Sequence, residues 1–238
     1  MFKNRIYKVS LEIIESSNAK KSWSTKKCIS LAIFSLIIGT LIFAIAYISM
    51  SQNVYIGTYN QKVLSWLIAH RNAQITAIMS IVSLVSSPIA LSVFILIIAI
   101  IWSIIKREIW RPLLLASTMV VGAFLSIILK LAIANNRPPQ ISMVLPIETS
   151  YSFPSGHVLG ATVFLLTLGY LIFSRRSNIL LAFFWTILAA LVIAAVALSR
   201  LYLGYHWTTD TIASLGLGFV ILSVAIFIDR IVVNHLNR

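Results

Sequence analysis

The sequence predicts an all-α, polytopic membrane protein of six transmembrane helices whose chemistry sits at the extracytoplasmic face. Three observations lead there. The 238 residues are 59% hydrophobic and only 11% charged, where a soluble domain carries about 25% charged residues. The mean hydropathy is +0.96. The apolar residues also gather into runs long enough to cross a bilayer, which takes about 20 residues each. A chain of this length has room for six such runs and little else, so one domain is expected. It comprises a basic N-terminal segment, 1–28, and a six-span unit, 29–232.

Met1–Lys27 is polar and basic, with Lys20, Lys21, Lys26 and Lys27 directly before the first apolar run, Ile29–Ser49. Ala44-Ile45-Ala46 superficially resembles a signal-peptide cleavage site. The leading polar segment is too long for a signal peptide and the run is of spanning length, so a retained anchor is expected. Ser51–Gln74 is mixed, with Lys62, Trp66 and Arg71, and reads as a short interfacial helix. Ile75–Ile105 is interrupted by Ser86-Ser87-Pro88; the part before Pro88 is too short to cross alone. One span, Pro88–Ile105, is therefore expected behind a bent or half-embedded helix.

Lys106–Arg111 reads as a basic loop and Leu113–Ile133 as the third span, with Lys130 near its end. Ala134–Phe153 is the longest polar connection among the later spans. Pro154-Ser155-Gly156-His157 opens the fourth span, which runs to Phe173. After Arg175-Arg176 come the fifth span, Ile179–Leu198, and the sixth, Thr211–Ile228. Trp66, Trp102, Trp110 and Trp207 read as belt aromatics near span ends. The single cysteine, Cys28, allows no internal disulfide and reads as apolar filler.

The net charge of +13 would suggest nucleic acid in a soluble protein; here its placement speaks for topology. With six spans both termini share one side. That side holds Lys3, Arg5, Lys8, Lys20, Lys21, Lys26, Lys27, Lys106, Arg107, Arg111, Arg175, Arg176, Arg230 and Arg238, fourteen of the 19 lysines and arginines. The positive-inside rule therefore predicts cytoplasmic termini in a cytoplasmic membrane. Lys62, Arg71, Lys130, Arg137 and Arg200 remain on the other side, and topology does not explain the last three.

Those three cations fall at the span ends that also carry His157 and His206. Ionisable groups at such a depth are costly and mark function. Ser199–Asp210 places Arg200 at the end of one helix and Gly204 in a tight turn. His206 and Asp210 follow four residues apart, one helical turn if the helix starts near His206. Asp210 can then hold one ring nitrogen of His206 and aim the other at a substrate.

Three cations around two histidines suit a phosphate dianion. Ser155 and Gly156 at a helix start add backbone N–H donors and the positive end of a helix dipole. The expected division of labour makes His206 the nucleophile on phosphorus. His157 serves as general acid to the leaving oxygen and then as base for water. Lys130, Arg137, Arg200 and the backbone donors stabilise the charge that develops. No cofactor is expected. Glu148 and Asp210 are the only outer carboxylates, too few for a magnesium site once Asp210 serves His206. Glu148 and Tyr151 read equally as loop lining or substrate contact, and His70 and His235 stand outside the cluster.

In sequence, the pattern is Lys130, six residues, Arg137-Pro138; Pro154-Ser155-Gly156-His157; and Ser199-Arg200, five residues, His206, three residues, Asp210. It resembles the three motifs of the type 2 phosphatidic acid phosphatase superfamily, complete and in order. The resemblance implies the same roles: phosphohistidine at His206, acid at His157, and phosphate contacts from Lys130, Arg137, Ser155, Gly156 and Arg200. It also implies a membrane lipid phosphate or diphosphate as substrate, among them undecaprenyl diphosphate, phosphatidylglycerophosphate and phosphatidic acid. A phosphotransferase working through the same intermediate remains open, as does a transporter or flippase that binds phospholipid without cleaving it. Vanadate-dependent haloperoxidases share a similar pocket but are soluble, so the spans argue against them. No nucleic-acid partner is expected, and the oligomeric state is open.

Overall fold

A computed structural model describes residues 23–175 and 178–236, with side chains up to residue 233. Lys3, Arg5, Lys8, Lys20, Lys21, Arg176, Arg238, the side chain of His235 and most of the 1–28 segment lie outside the described residues. Among the described residues eight α-helices follow one another: α1 (Thr25–Ser51), α2 (Asn60–Ala69), α3 (Ala73–Val85), α4 (Pro88–Lys106), α5 (Trp110–Ile133), α6 (Gly156–Phe173), α7 (Ile179–Tyr202) and α8 (Thr208–Leu236). Six of them, all but α2 and α3, are long and apolar enough to cross a membrane.

Local chemistry sets the helix starts. Ser24, Asn72, Ser87 and Asn178 are N-caps whose side-chain oxygens accept from Lys27, Ile75, Ala90 and Leu181 N–H groups. Ser87 is followed by Pro88 at the first helical position, where a missing N–H costs nothing. The interruption expected at Ser86-Ser87-Pro88 thus separates two helices: α3, with 13 residues, and the spanning α4. The interfacial stretch becomes a 3₁₀ turn, Tyr55–Tyr59, followed by α2. Tyr55, Tyr59 and Trp66 are exposed there.

α6 is the centre of the bundle and packs against α4, α5, α7 and α8. Its burial all round fits its lack of an amphipathic face. The most extensive interface joins α1 to α8. Small residues of α1, namely Cys28, Ala32, Ser35, Gly39, Ala46 and Ser49, recur at helical spacing and are buried. At the crossing a Cβ on Gly39 would lie 2.7 Å from the Gly216 carbonyl oxygen. Only glycine lets the two backbones approach so closely, the usual way helices associate where lipid removes the hydrophobic drive.

Two expectations about charge need correction. Lys106–Arg111 is not simply a basic loop, because α5 begins at Trp110 and buries Arg111 at 2% exposure. Arg111 donates to the Leu171 carbonyl and to Ser174 Oγ and lies 3.5 Å from Glu108. Arg230, counted with the topology cations, is buried as well. It donates to Tyr170 Oη and to Asp229, which also accepts from Trp110 Nε1 at 2.9 Å and from Tyr170 Oη. Trp110, read as a belt aromatic, is anchored to a carboxylate through its indole N–H. A buried charge survives only with such partners, and sequence position alone does not reveal them.

Candidate active site

At the opposite end of the bundle, the ends of α5 and α7, the starts of α6 and α8 and the 134–155 connection meet. The α7–α8 turn is set by Gly204, whose φ of +79° is left-handed. A Cβ there would also collide with the Ser142 carbonyl. The turn closes through Gly204 N–H to the Leu201 carbonyl and Tyr205 N–H to the Arg200 carbonyl, each 3.0 Å. It delivers His206 just before α8, which starts at Thr208, two residues later than the start that best suited the pairing. The pairing still forms. Asp210 sits in the first helical turn and reaches back, accepting the Trp207 N–H at 2.9 Å and facing His206 Nδ1 at 3.2 Å. An acid reaching back from the first turn is half of a capping box, so one carboxylate both starts the helix and orients the imidazole.

His206 is 2% exposed and Asp210 fully buried. With Nδ1 held by Asp210, Nε2 points to Arg137 Nη1 at 3.3 Å. Burial disfavours the imidazolium, and the charges of Arg137, Arg200 and Lys130 add to that, holding His206 well below the ordinary histidine range. The ring is neutral at physiological pH, with a lone pair available on Nε2.

Arg137 is fixed by the Tyr205 carbonyl at 2.7 Å, Ser150 Oγ at 3.0 Å and Glu148 at 2.7 Å. Arg200 donates to Ser83 Oγ on α3 and to Glu148, and lies 4.3 Å from the Tyr205 ring. Lys130 Nζ donates to the carbonyls of Tyr151 and Ser152 at the base of the connection. His157 is the second residue of α6 and half-buried.

Ser155 differs from expectation. Its N–H is directed to the Asp210 carbonyl at 3.4 Å, so it is not a free donor. Its buried Oγ has no partner, and the orphan N–H groups of the first α6 turn begin with Gly156. A Cβ on Gly156 would meet only Ser126 Oγ, at 3.8 Å; open space faces this helix start. Among the described residues, no three His, Cys, Asp or Glu side chains cluster as metal ligands.

Several residues outside the expected catalytic and phosphate-binding set hold this arrangement. Asn60 of α2 exchanges two hydrogen bonds with Thr209, at 3.2 and 3.3 Å, and so clamps the start of α8. Asn135 donates to Ser152 Oγ at 2.8 Å and to Asp210 Oδ1 at 3.4 Å. Arg71, counted as an outer cation, donates to the Tyr202 carbonyl and steadies the end of α7. Trp207 Nε1 donates to the Asn136 carbonyl and ties α8 to the 134–155 connection. The position of Asn135, two residues before Arg137, was the only available signal; the partners of Asn60 and Ser83 are 149 and 117 residues away.

Below the site runs an apolar groove of about 640 Å³ between α4, α5 and α6. Lys130, Ser126 and Gly156 line one end, and Leu96, Ala99 and Ala116 extend it toward the middle of the bundle.

The fold and site define a class: a six-span helical protein with paired arginines and a carboxylate-held histidine at one end of the bundle. The sequence pattern of the PAP2 superfamily matches residues 111–230, half of the chain and the stretch within which Arg137, Arg200, His206 and Asp210 lie. The chain belongs to the PAP2 superfamily. It is 29% identical over 121 residues to phosphatidylglycerophosphatase B of Bacillus subtilis (strain 168), a match covering 48% of this chain and 56% of that protein. The alignment thus spans about half the length of that relative. The crystal structure of a transmembrane PAP2 type phosphatidylglycerolphosphate phosphatase from Bacillus subtilis matches with a TM-score of 0.67 at 23% identity. That match covers 86% of this chain and 96% of the other, a likeness of fold.

Proposed function

We propose that this protein is a metal-independent membrane lipid phosphatase that works through a phosphohistidine at His206. The observation that carries the reading is the junction of a cationic site with an apolar groove. Arg137 stands beside His206 Nε2, Glu148 bridges it to Arg200, and the groove under Lys130 and Gly156 has room for a hydrocarbon chain.

In this reading Nε2 of His206 attacks phosphorus and the bond to the lipid oxygen breaks. The leaving oxygen takes its proton from His157. Asp210 stabilises the positive charge that develops on the ring, as an orienting carboxylate does for a catalytic histidine. Water then attacks the phosphohistidine while His157 takes its proton, and the P–N bond breaks. Arg137, Arg200, Lys130 and the N–H groups at the α6 start balance the charge on the phosphoryl oxygens.

Phosphatidylglycerophosphate is the favoured substrate, since the names of both relatives include it. Phosphatidic acid and undecaprenyl diphosphate are the comparisons. The termini would be cytoplasmic and the site outward, supported by the charge distribution of the loops.

Phosphate release by purified protein in detergent with EDTA, on the three lipids side by side, tests the reading. Phosphatidylglycerophosphate should be cleaved fastest, His206→Ala should be inactive, and acid-labile phosphoprotein should be trapped during turnover. Activity abolished by EDTA, or retained in His206→Ala, would discard the mechanism.

A further inference from the structure

The two arginines of the site are already bridged by an anion, and that anion belongs to the protein. Glu148 gives one carboxylate oxygen to Arg200 Nη2 and the other to Arg137 Nη2 at 2.7 Å. The two guanidinium groups are almost out of water, with side-chain exposures of 2% and 6%, whereas Glu148 keeps 30%. Burial alone would push the Glu148 carboxyl up, but Arg200 and Arg137 outweigh it and hold the group below the usual carboxylate range. It is a charged counter-ion on two buried cations.

The carboxylate can leave without dismantling the site. Arg137 keeps the Tyr205 carbonyl and Ser150, and Arg200 keeps Ser83 and the Tyr205 ring. Glu148 itself stands on the 134–155 connection at the wall of a second, polar crevice of about 310 Å³, beside Asn136, Gln140 and Thr149. A displaced side chain has space and polar company there.

We propose that Glu148 is a specificity-determining residue: an internal counter-ion that a doubly charged phosphate monoester displaces and a singly charged phosphodiester does not. The proposal rests on the reading of Arg137 and Arg200 as phosphate ligands, and deepens it. A phosphate monoester carries about −1.5 to −2 charge at neutral pH and three strong acceptor oxygens. It gains more from two forked guanidinium groups than the carboxylate loses. A phosphodiester head group carries one negative charge and two free oxygens, matching the carboxylate it would replace. The exchange therefore gives it nothing. A membrane surrounds this site with phosphodiester lipids, and two bare arginines above an apolar groove would fill with them. Glu148 keeps the seat closed to that excess.

The test uses the full-length protein in detergent, parent and Glu148→Gln, with inorganic phosphate as the probe in isothermal titration. Competition follows with phosphatidic acid, a monoester, and phosphatidylglycerol, a diester, which separates lipid from free anion. The variant lacks the competing charge, so it should bind phosphate on the order of tenfold tighter or more. The diester should compete in the variant and not in the parent. In turnover KM should fall and inhibition by product phosphate should rise, the opposite of what a merely structural glutamate would produce. Unchanged or weaker phosphate binding in Glu148→Gln, or a diester still without effect, overturns the proposal.

Removing a counter-ion can also destabilise the fold, so thermal unfolding is followed against phosphate concentration. A larger phosphate-induced rise in midpoint for the variant supports the counter-ion role, and an equal or smaller one refutes it. If neither protein binds phosphate, the proposal falls together with the assignment of the arginines. If the binding changes are present but no lipid is hydrolysed, the counter-ion stands and only the hydrolytic reading is lost.

Discussion

Replacing Asp210 by asparagine separates what this residue does for geometry from what it does for charge. Oδ2 serves both the Trp207 N–H and His206 Nδ1, while Oδ1 faces Asn135 Nδ2 at 3.4 Å. An asparagine can keep its carbonyl oxygen at the Oδ2 position and turn its amide toward Asn135, whose own amide can rotate to accept. The helix start and the Nδ1–H tautomer then survive, and the negative charge is gone. In the proposed mechanism Nε2 bonds to phosphorus, and positive charge then spreads onto Nδ1, 3.2 Å from where the carboxylate stood. At an effective dielectric of about 20, a full charge at that separation is worth about 5 kcal/mol, and a half-developed one about half as much.

The turnover number should accordingly fall about 10²- to 10⁴-fold. Ground-state binding should move the other way, because Asp210 is an anion close to the site of another. Inorganic phosphate should bind Asp210→Asn at least as tightly as the parent. Phosphate release under saturating lipid, with isothermal titration of phosphate, reads both quantities on the same preparation. A turnover number within tenfold of the parent, or phosphate affinity lost in step with turnover, would refute the argument. The second result would mean that Asp210 acts only by holding the fold.

Gly156→Ala should fold normally, since its Cβ meets nothing closer than 3.8 Å, yet it narrows the space between Lys130 and the α6 start. Lipid KM should rise several-fold with the thermal midpoint unchanged. Asn60→Ala removes two hydrogen bonds to Thr209 and should cost about 1–3 kcal/mol of stability. Turnover should fall with it and KM hold, since the start of α8 carries Asp210 and fixes His206 just before it, and does not line the groove. His206 is held neutral by burial and by Arg137, Arg200 and Lys130. Below about pH 6.5 the unfolded chain takes a proton there that the folded chain refuses, so stability falls by about 1.4 kcal/mol per pH unit as the solution is acidified. Above that pH the contribution is flat. Thermal unfolding from pH 5 to pH 8 should show this slope in the parent and lose it in His206→Gln. Asp229→Asn, at the other end, breaks a buried pair with Arg230 and should cost about 3–5 kcal/mol while leaving the KM of whatever protein remains folded unchanged.

How much of this could be read from the chain differs between fold and site. The six spans were legible because lipid imposes a minimum length of apolar sequence, and each run met it. The break at Ser86-Ser87-Pro88 was legible because proline and an N-cap serine act locally. Arg137, Arg200, His206 and Asp210 were legible because they fall at span ends on one side, where alternation alone brings them together. What sequence hid is whatever depends on partners far along the chain. Glu148 could not be told from a loop residue until Arg137 and Arg200 closed on it, from 11 residues before and 52 after. Arg111 and Arg230 counted as surface charge because nothing local announces Leu171, Ser174, Tyr170 or Asp229 as their partners. The free donor expected from Ser155 was lost to the Asp210 carbonyl for the same reason.

The two buried polar clusters hold the site rigid from both ends of the bundle. Both are built on α6 and α8. At one end Ser155 and Asp210 meet across these helices, and at the other Tyr170 bonds to Asp229 and Arg230. These helices are also the most enclosed of the six spans, and α4 the least. The pair that carries His157 and Asp210 is thus pinned by hydrogen bonds at each end, where little water competes for them. α4, by contrast, borders the groove with Leu91, Ile95 and Leu96, apolar side chains with no such ties. Moving α4 exchanges protein–hydrocarbon contact for lipid–hydrocarbon contact at small cost, since neither environment is more apolar than the other. Displacing α6 from α8 would expose paired charges to hydrocarbon. On the proposed reading, the groove therefore has its give on the α4 side, while the α6–α8 pair keeps His157 and Asp210 in place.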